Sequence, residues 1–290
     1  MTARRIVAGL LQQDRLNFVL TNRIPRRLLT RLVGWLSRIE QPLIRDLSIG
    51  IWRLFATIDL ADTENRRFRS MHDCFTRALR PGARPIDADP EALVSPCDAI
   101  VGACGRIGGT TVVQAKGFPY TLDELLLDPG LADRYRDGSY VTLRLTSGMY
   151  HRFHAPQTGK VEKVTYVAGD TWNVNASALR RIDKLFCKNE RALIEMRLDG
   201  SGYRIVLVPV AAVLVASIRL HCVDVTLHLG RHGPNVIPCA AAVRKGEEMG
   251  WFEHGSTIIV IAPSGFELFP AVSAGQHIRM GESLLRMPPS

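Results

Sequence analysis

Apolar positions recur at helical spacing near the start of the chain. In IPRRLLTRLVGWLSRIE, Leu28, Leu29, Leu32, Val33, Leu36 and Ile39 fall on one face, with Pro25 at the first turn, where its missing N–H costs nothing. A second stripe, Leu43, Ile44, Leu47, Ile51, Leu54 and Phe55, follows Pro42, and a third, Phe68, Met71, Phe75 and Leu79, follows Thr63. Together they predict a helical region over residues 1–80. From about residue 81 the pattern changes to short β-branched runs punctuated by Gly and Pro, such as SYVTLRLTS, GKVEKVTYVAGD, ALIEMRL and STIIVIAP, which predict strands. The expected fold class is α+β: a helical N-terminal region, 1–80, followed by a mainly antiparallel β sandwich or barrel-like domain, 81–290.

Three further stretches refine this picture. The longest apolar run, IVLVPVAAVLVASI at 205–218, is shorter than the roughly 20 residues that cross a bilayer and carries Pro209, so it predicts buried strand and no transmembrane helix. GACGRIGG at 102–109 lacks the Gly-x-Gly-x-x-Gly spacing of a dinucleotide loop and predicts a turn between strands. AVRKGEEM at 242–249 and HIRMGESL at 277–284 share apolar-Arg-x-Gly-Glu, an echo that predicts β hairpins and nothing beyond them.

Charge changes the picture of the helical region. The chain of 290 residues carries a net +9, but residues 1–80 hold fifteen Arg and no Lys against seven acids, a balance of +8. Arginines accompanying apolar stripes, with Trp35 and Trp52, describe a surface that docks on anionic lipid headgroups. Nucleic acid competes for the same charge, but zinc-finger spacing, an RNP-like aromatic strand and a Gly-x-x-Gly clamp are missing, so no nucleic-acid partner is expected. The first residues, MTARRIVAGLLQQD, have too short an apolar run for a secretory signal. Six cysteines without C-x-x-C spacing read as reduced thiols.

Three places hold reactive side chains among turn residues: Asp98 in SPCDAIVG, His151 and His154 in GMYHRFHAPQTGK, and Ser256 after Gly255. The His-x-x-His pair has neither the His-Glu-x-x-His helix nor a third ligand, so no metal is expected. An acid, an imidazole and a hydroxyl are the parts for activating a serine. No Gly-x-Ser-x-Gly elbow surrounds Ser256; its nearest electrophile is the preceding Gly255 carbonyl.

Seven ordered blocks give this arrangement a context: FTRALRPGARPIDADP (75–90), SPCDA (95–99), QAKGFPYTLDELL (114–126), YHRFHAP (150–156), YVAGDTWNVN (166–175), LFCKNERALI (185–194) and KGEEMGWFEHGST (245–257). In this combination the chain closely resembles phosphatidylserine decarboxylase proenzymes. The resemblance implies that Ser256 attacks the Gly255 carbonyl, with His154 as base and Asp98 as its orienter. It implies a β chain, 1–255, and an α chain, 256–290, that begins with a pyruvoyl group derived from Ser256. Phosphatidylserine then forms a Schiff base at position 256, carbon dioxide leaves, His151 reprotonates the carbanion, and phosphatidylethanolamine is released. The implied protein is a heterodimer of α and β chains that dimerises further, peripheral on the cytoplasmic face of the cell membrane. Two positions depart from the family pattern: Ala99 replaces the usual Gly after Asp98, and His254 replaces Leu beside the scissile bond. Two other readings remain open at this level, an unprocessed lipid-binding relative and a serine hydrolase using Asp98, His154 and Ser256.

Overall fold

The computed structural model describes residues 26–114, 118–212, 217–228, 235–253 and 256–289. The helical front comprises α1 (Arg26–Ser37), α2 (Pro42–Phe55) and α3 (Met71–Phe75). Pro42 opens α2, and the Gln41 side chain accepts from the Ile44 N–H, so the start of this helix is capped. The first two stripes therefore form helices. The expected helical stretch at 1–25, with Pro25, lies outside the described residues.

The third stripe gives only the five residues of α3. Here the buried Arg77 guanidinium turns inward to the carbonyls of Cys74, Asp59 and Gly148, and Thr63 bridges Leu79, so tertiary bonds take the place of a longer helix. Trp52, Cys74 and Phe75 form a small core under the front.

Strands β1 (Ala92–Val94), β2 (Ala99–Arg106), β3 (Thr111–Val113) and β4 (Pro119–Thr121) precede α4 (Leu122–Leu126) and α5 (Pro129–Arg134). Next come β5 (Ser139–Leu145), β6 (Arg152–His154) and β7 (Gly159–Val167), then α6 (Ala176–Leu179) and α7 (Leu185–Lys188). The remainder is β8 (Arg191–Leu198), β9 (Arg204–Ala211), β10 (Ser217–Leu220), β11 (Val223–His228), β12 (Asn235–Val243), β13 (Glu248–Phe252), β14 (Ser256–Ala262), β15 (Glu267–Leu268), β16 (His277–Ile278) and β17 (Ser283–Arg286).

An eight-stranded antiparallel sheet runs β12-β7-β8-β9-β14-β5-β2-β16. Its order is open at both ends, so the fold is α+β and the sandwich is realised without a closed barrel. One face packs on the four-stranded sheet β11-β10-β13-β6 and the three-stranded sheet β1-β17-β15 through Phe153, Ile218, Phe252 and Leu285. The other face packs on the short helices through Leu122, Leu125, Leu185 and Phe186. Because β14 is covered on both faces, it reads as an unbroken apolar run: Ile258 and Val260 enter one core, Ile259 and Ile261 the other.

The Gly-rich stretch departs from expectation. GACGR continues β2 as far as Arg106, and only the residues after Ile107 make the turn. At Gly102 the two strands approach closely: a Cβ there would lie 3.3 Å from the Thr142 carbonyl of β5.

Candidate active site

The repeated Arg-x-Gly-Glu pattern builds two equivalent turns, but each joins strands of different sheets, so the expected hairpins do not form. In the first, between β12 and β13, the Arg244 N–H donates to Glu247 Oε2 at 2.8 Å and Gly246 has φ +80°. In the second, between β16 and β17, the Arg279 N–H donates to Glu282 Oε2 at 2.9 Å and Gly281 has φ +92°. Both glycines abut Ile86, which would lie within 3.0 Å of a Cβ at either position.

Each turn holds one of the predicted site residues. The Gly246 carbonyl of the first accepts from His154 Nδ1 at 2.9 Å. The Met280 N–H of the second donates to Asp98 Oδ1 at 2.9 Å. Asp98 is also forked by Arg84, whose Nε and Nη2 lie 2.9 and 2.6 Å from its two oxygens. The expected role of Asp98 as orienter of His154 is thus corrected: the orienting partner is the Gly246 carbonyl. Asp98 acts on His154 and Tyr150 through its charge.

His154 closes β6 and is nearly buried. A carbonyl only accepts, so Nδ1 carries the proton and the neutral ring presents a lone pair at Nε2. That nitrogen lies 2.9 Å from the Tyr150 hydroxyl, which donates to it. Burial lowers the imidazole below its ordinary value, against the Gly246 carbonyl and the charges of Glu248 and Asp98, which raise it. Burial likewise pushes the Tyr150 phenol upward and keeps it protonated. Tyr150 belongs to the same YHRFHAP block; its hydroxyl is the site component that reading the histidines alone overlooks.

His151 is fully buried, its Nδ1 2.8 Å from the Met149 carbonyl, and its ring lies against Phe75 of α3. The helical front therefore forms one wall of the site. Arg152 adds a second tie, donating to the Thr76 carbonyl at 2.8 Å.

Position 256 opens β14 in the middle of the large sheet, opposite Leu145 of β5 and Ala211 of β9. Leu145 leads through residues 146–150 to the histidines, and β13, paired with β6, leads into position 256 from the other side. Ala211 is fixed in turn by the KNER block: its N–H donates to the Glu190 carbonyl and its carbonyl accepts from Asn189 Nδ2, both at 2.8 Å. His254, Gly255 and the Ser256 side chain lie outside the described residues.

A cavity of about 630 Å³ adjoins Asp98, Ala99, Tyr150, Arg84 and Arg77. Ala99 begins β2, where the backbone is extended, so the departure from Gly introduces no left-handed strain. Among the described residues no group of three or more His, Cys, Asp or Glu is placed to hold a metal ion.

Comparison with known proteins identifies a family. A family model described as phosphatidylserine decarboxylase matches residues 71–286. Among similar proteins, the phosphatidylserine decarboxylase proenzyme of Halorhodospira halophila is 38% identical over 285 residues, covering 94% of each chain. Proteins of the same name from Erwinia tasmaniensis and Brevibacillus brevis are 34% and 33% identical, covering 93% and 91% of this chain and 94% and 95% of theirs.

Proposed function

The chain belongs to the phosphatidylserine decarboxylase family, and on that premise we propose that it cuts itself between Gly255 and Ser256, gains a pyruvoyl group there and decarboxylates phosphatidylserine at an anionic membrane surface. The observation that carries this reading is His154, a buried neutral base held by Gly246 at one nitrogen and facing a hydroxyl at the other.

Self-cleavage begins with the Ser256 hydroxyl. Its proton passes to His154 by way of Tyr150, which gives its own proton to Nε2 and takes the serine's. The Oγ attacks the Gly255 carbonyl carbon, the amide nitrogen leaves as an amine carrying the proton returned by His154, and an ester links the two residues. Loss of the Cα proton of residue 256 then expels the Gly255 carboxylate and leaves dehydroalanine. Tautomerisation, addition of water and departure of ammonia complete the pyruvoyl group, with one water consumed overall. Asp98 contributes by favouring the imidazolium that forms transiently.

The surroundings fit such a group. Cutting at the start of β14 removes no strand, and the 256–290 fragment stays bound because β14 pairs with β5 and β9, β16 with β2, and β17 with β1. This supports the αβ heterodimer. A pyruvoyl ketone supplies an electron sink for the carbanion at the lipid Cα, work otherwise given to pyridoxal phosphate. His151, its ring fixed by Met149 and Phe75, delivers the proton to that carbon from Nε2 as the imidazolium and returns to the neutral ring, which keeps its Nδ1 proton on the Met149 carbonyl. The buried rings around it keep bulk water from the reacting carbon.

The front supports the membrane part. No helix among the described residues is long and apolar enough to cross a bilayer. Leu43, Leu47, Ile51, Leu54 and Phe55 nonetheless stand exposed on α2, and Leu32, Trp35 and Leu36 on α1. Beside the α2 stripe a cavity of about 630 Å³ is lined by Arg45, Arg53, Arg66 and Arg67. Arg45 pairs with Asp46, whereas Arg53, Arg66 and Arg67 make no ion pair among the described residues. Exposed apolar side chains flanked by uncompensated arginines suit insertion at the headgroup level.

Replacing Ser256 with Ala tests the function: one uncleaved chain without decarboxylation is expected, and an active Ser256→Ala protein would overturn the reading.

A further inference from the structure

Glu253 sits two residues before the proposed scissile bond, just after β13, and is nearly buried. An isolated carboxylate so placed is costly, and removing the partner of a buried charge costs more than an exposed pair contributes. Here two arginines and a histidine from three separate parts of the chain converge on it. Arg38, immediately after α1, donates to its Oε2 through Nη2. His72 of α3 lies 3.6 Å from Oε1, and Arg219 of β10 lies 3.8 Å from the same oxygen. The preceding residue is anchored too, since the Phe252 N–H donates to the His151 carbonyl at 3.0 Å.

Two of these three groups belong to the helical front, so the clamp is complete only when the front is packed against the β domain. The carbonyl that must meet the serine hydroxyl follows this anchor by two residues, and an intramolecular attack depends steeply on the reacting atoms being held in place. We infer that Glu253 is a positioning residue for self-cleavage, gripped by Arg38, His72 and Arg219, and that the clamp makes maturation depend on the packed helical front. The inference rests on the self-cleavage reading given above. The same grip would hold Glu253 in place once the bond is cut.

The test is a double-mutant cycle on the first-order rate at which the 256–290 fragment appears, comparing Glu253→Gln, Arg38→Ala and the double variant in the soluble full-length chain. Each single change is expected to slow cleavage about tenfold, the factor typical of losing one charge-assisted hydrogen bond. The double variant should be no slower than the slower single one, because both changes remove the same interaction. Arg38 keeps the experiment decisive even if Glu253→Gln folds poorly, since its side chain is 55% exposed and its loss leaves the core intact. A rate for Arg38→Ala equal to wild type, or losses that multiply in the double variant, would overturn the inference. A wild-type chain that never cleaves would instead overturn the self-cleavage reading on which it rests.

Discussion

The ring of Phe75 lies against that of His151, with centroids 3.9 Å apart and planes inclined by 35°. Trp52 of α2 stands behind it, 5.7 Å from Phe75. A helix with an apolar exposed face is thus joined by two aromatic contacts to the histidine proposed to reprotonate the product. Replacing Phe75 with Leu keeps most of the buried volume, at a stability cost of about 1 kcal/mol, but removes the flat surface that fixes the imidazole. Decarboxylation by the mature protein should fall about tenfold in kcat with little change in KM, while self-cleavage, which uses His154, should be much less affected. Steady-state kinetics beside a cleavage time course would check this; equal losses in both would contradict the division of roles.

The two histidines also make a pH prediction. His154 acts as a base in its neutral form, and burial lowers its pKa from the ordinary 6.5. Cleavage should therefore be undiminished on the alkaline side and decline as pH falls through a midpoint below 6.5. Tyr150→Phe, which removes the relay hydroxyl, should lower the alkaline plateau by roughly a hundredfold. Rates of fragment appearance from about pH 5 to 8 would settle both points; a midpoint above the ordinary imidazole value would count against His154 as the base.

Membrane docking has its own signature. Each arginine near an anionic surface contributes about 1 kcal/mol, so replacing Arg53, Arg66 and Arg67 together with Gln should weaken binding roughly a hundredfold. Co-sedimentation with phosphatidylcholine vesicles containing phosphatidylserine measures this. Wild-type binding should also weaken as salt rises. Unchanged, salt-insensitive binding by the triple variant would show that the arginine-lined cavity faces away from the lipid.

Glu190 gives a stability test independent of activity. Burial pushes this carboxyl up to about 8, with the Tyr166 hydroxyl pulling the other way. Between its ordinary 4.5 and about 8 the unfolded chain ionises while the folded one stays protonated, so each pH unit removes about 1.4 kcal/mol of stability. Glu190→Gln abolishes that loss. Denaturant unfolding of uncleaved Ser256→Ala chains should show the chain that also carries Glu190→Gln gaining on its parent as pH rises from about 5 to 7. A constant difference would mean that Glu190 is ionised in the fold.

The sequence displayed some of this architecture and hid the rest for identifiable reasons. The stripes of α1 and α2 were readable because one face meets the protein or solvent along several turns, and β14 because both faces are covered. The short α4–α7 span only four to six residues, too few for periodicity to register. One left a local trace, the Thr121-x-x-Glu124 capping box of α4. The Arg-x-Gly-Glu echo marked two like turns, but they join strands of different sheets instead of forming the expected hairpins, and it gave no sign that they would hold His154 and Asp98. His154 is oriented by a backbone carbonyl, which any residue type carries, so composition could only suggest a carboxylate in its place. The clamp on Glu253 was hidden because its partners come from residues 38, 72 and 219.

Self-cleavage at Gly255–Ser256 is read most directly from an intact-mass spectrum of the purified protein under denaturing conditions. Two chains are expected, one matching residues 1–255 and the other residues 256–290 lighter by one ammonia than a fragment beginning with serine. A single chain of full mass would contradict the proposed maturation, because the Gly255–Ser256 bond would have survived in a folded protein.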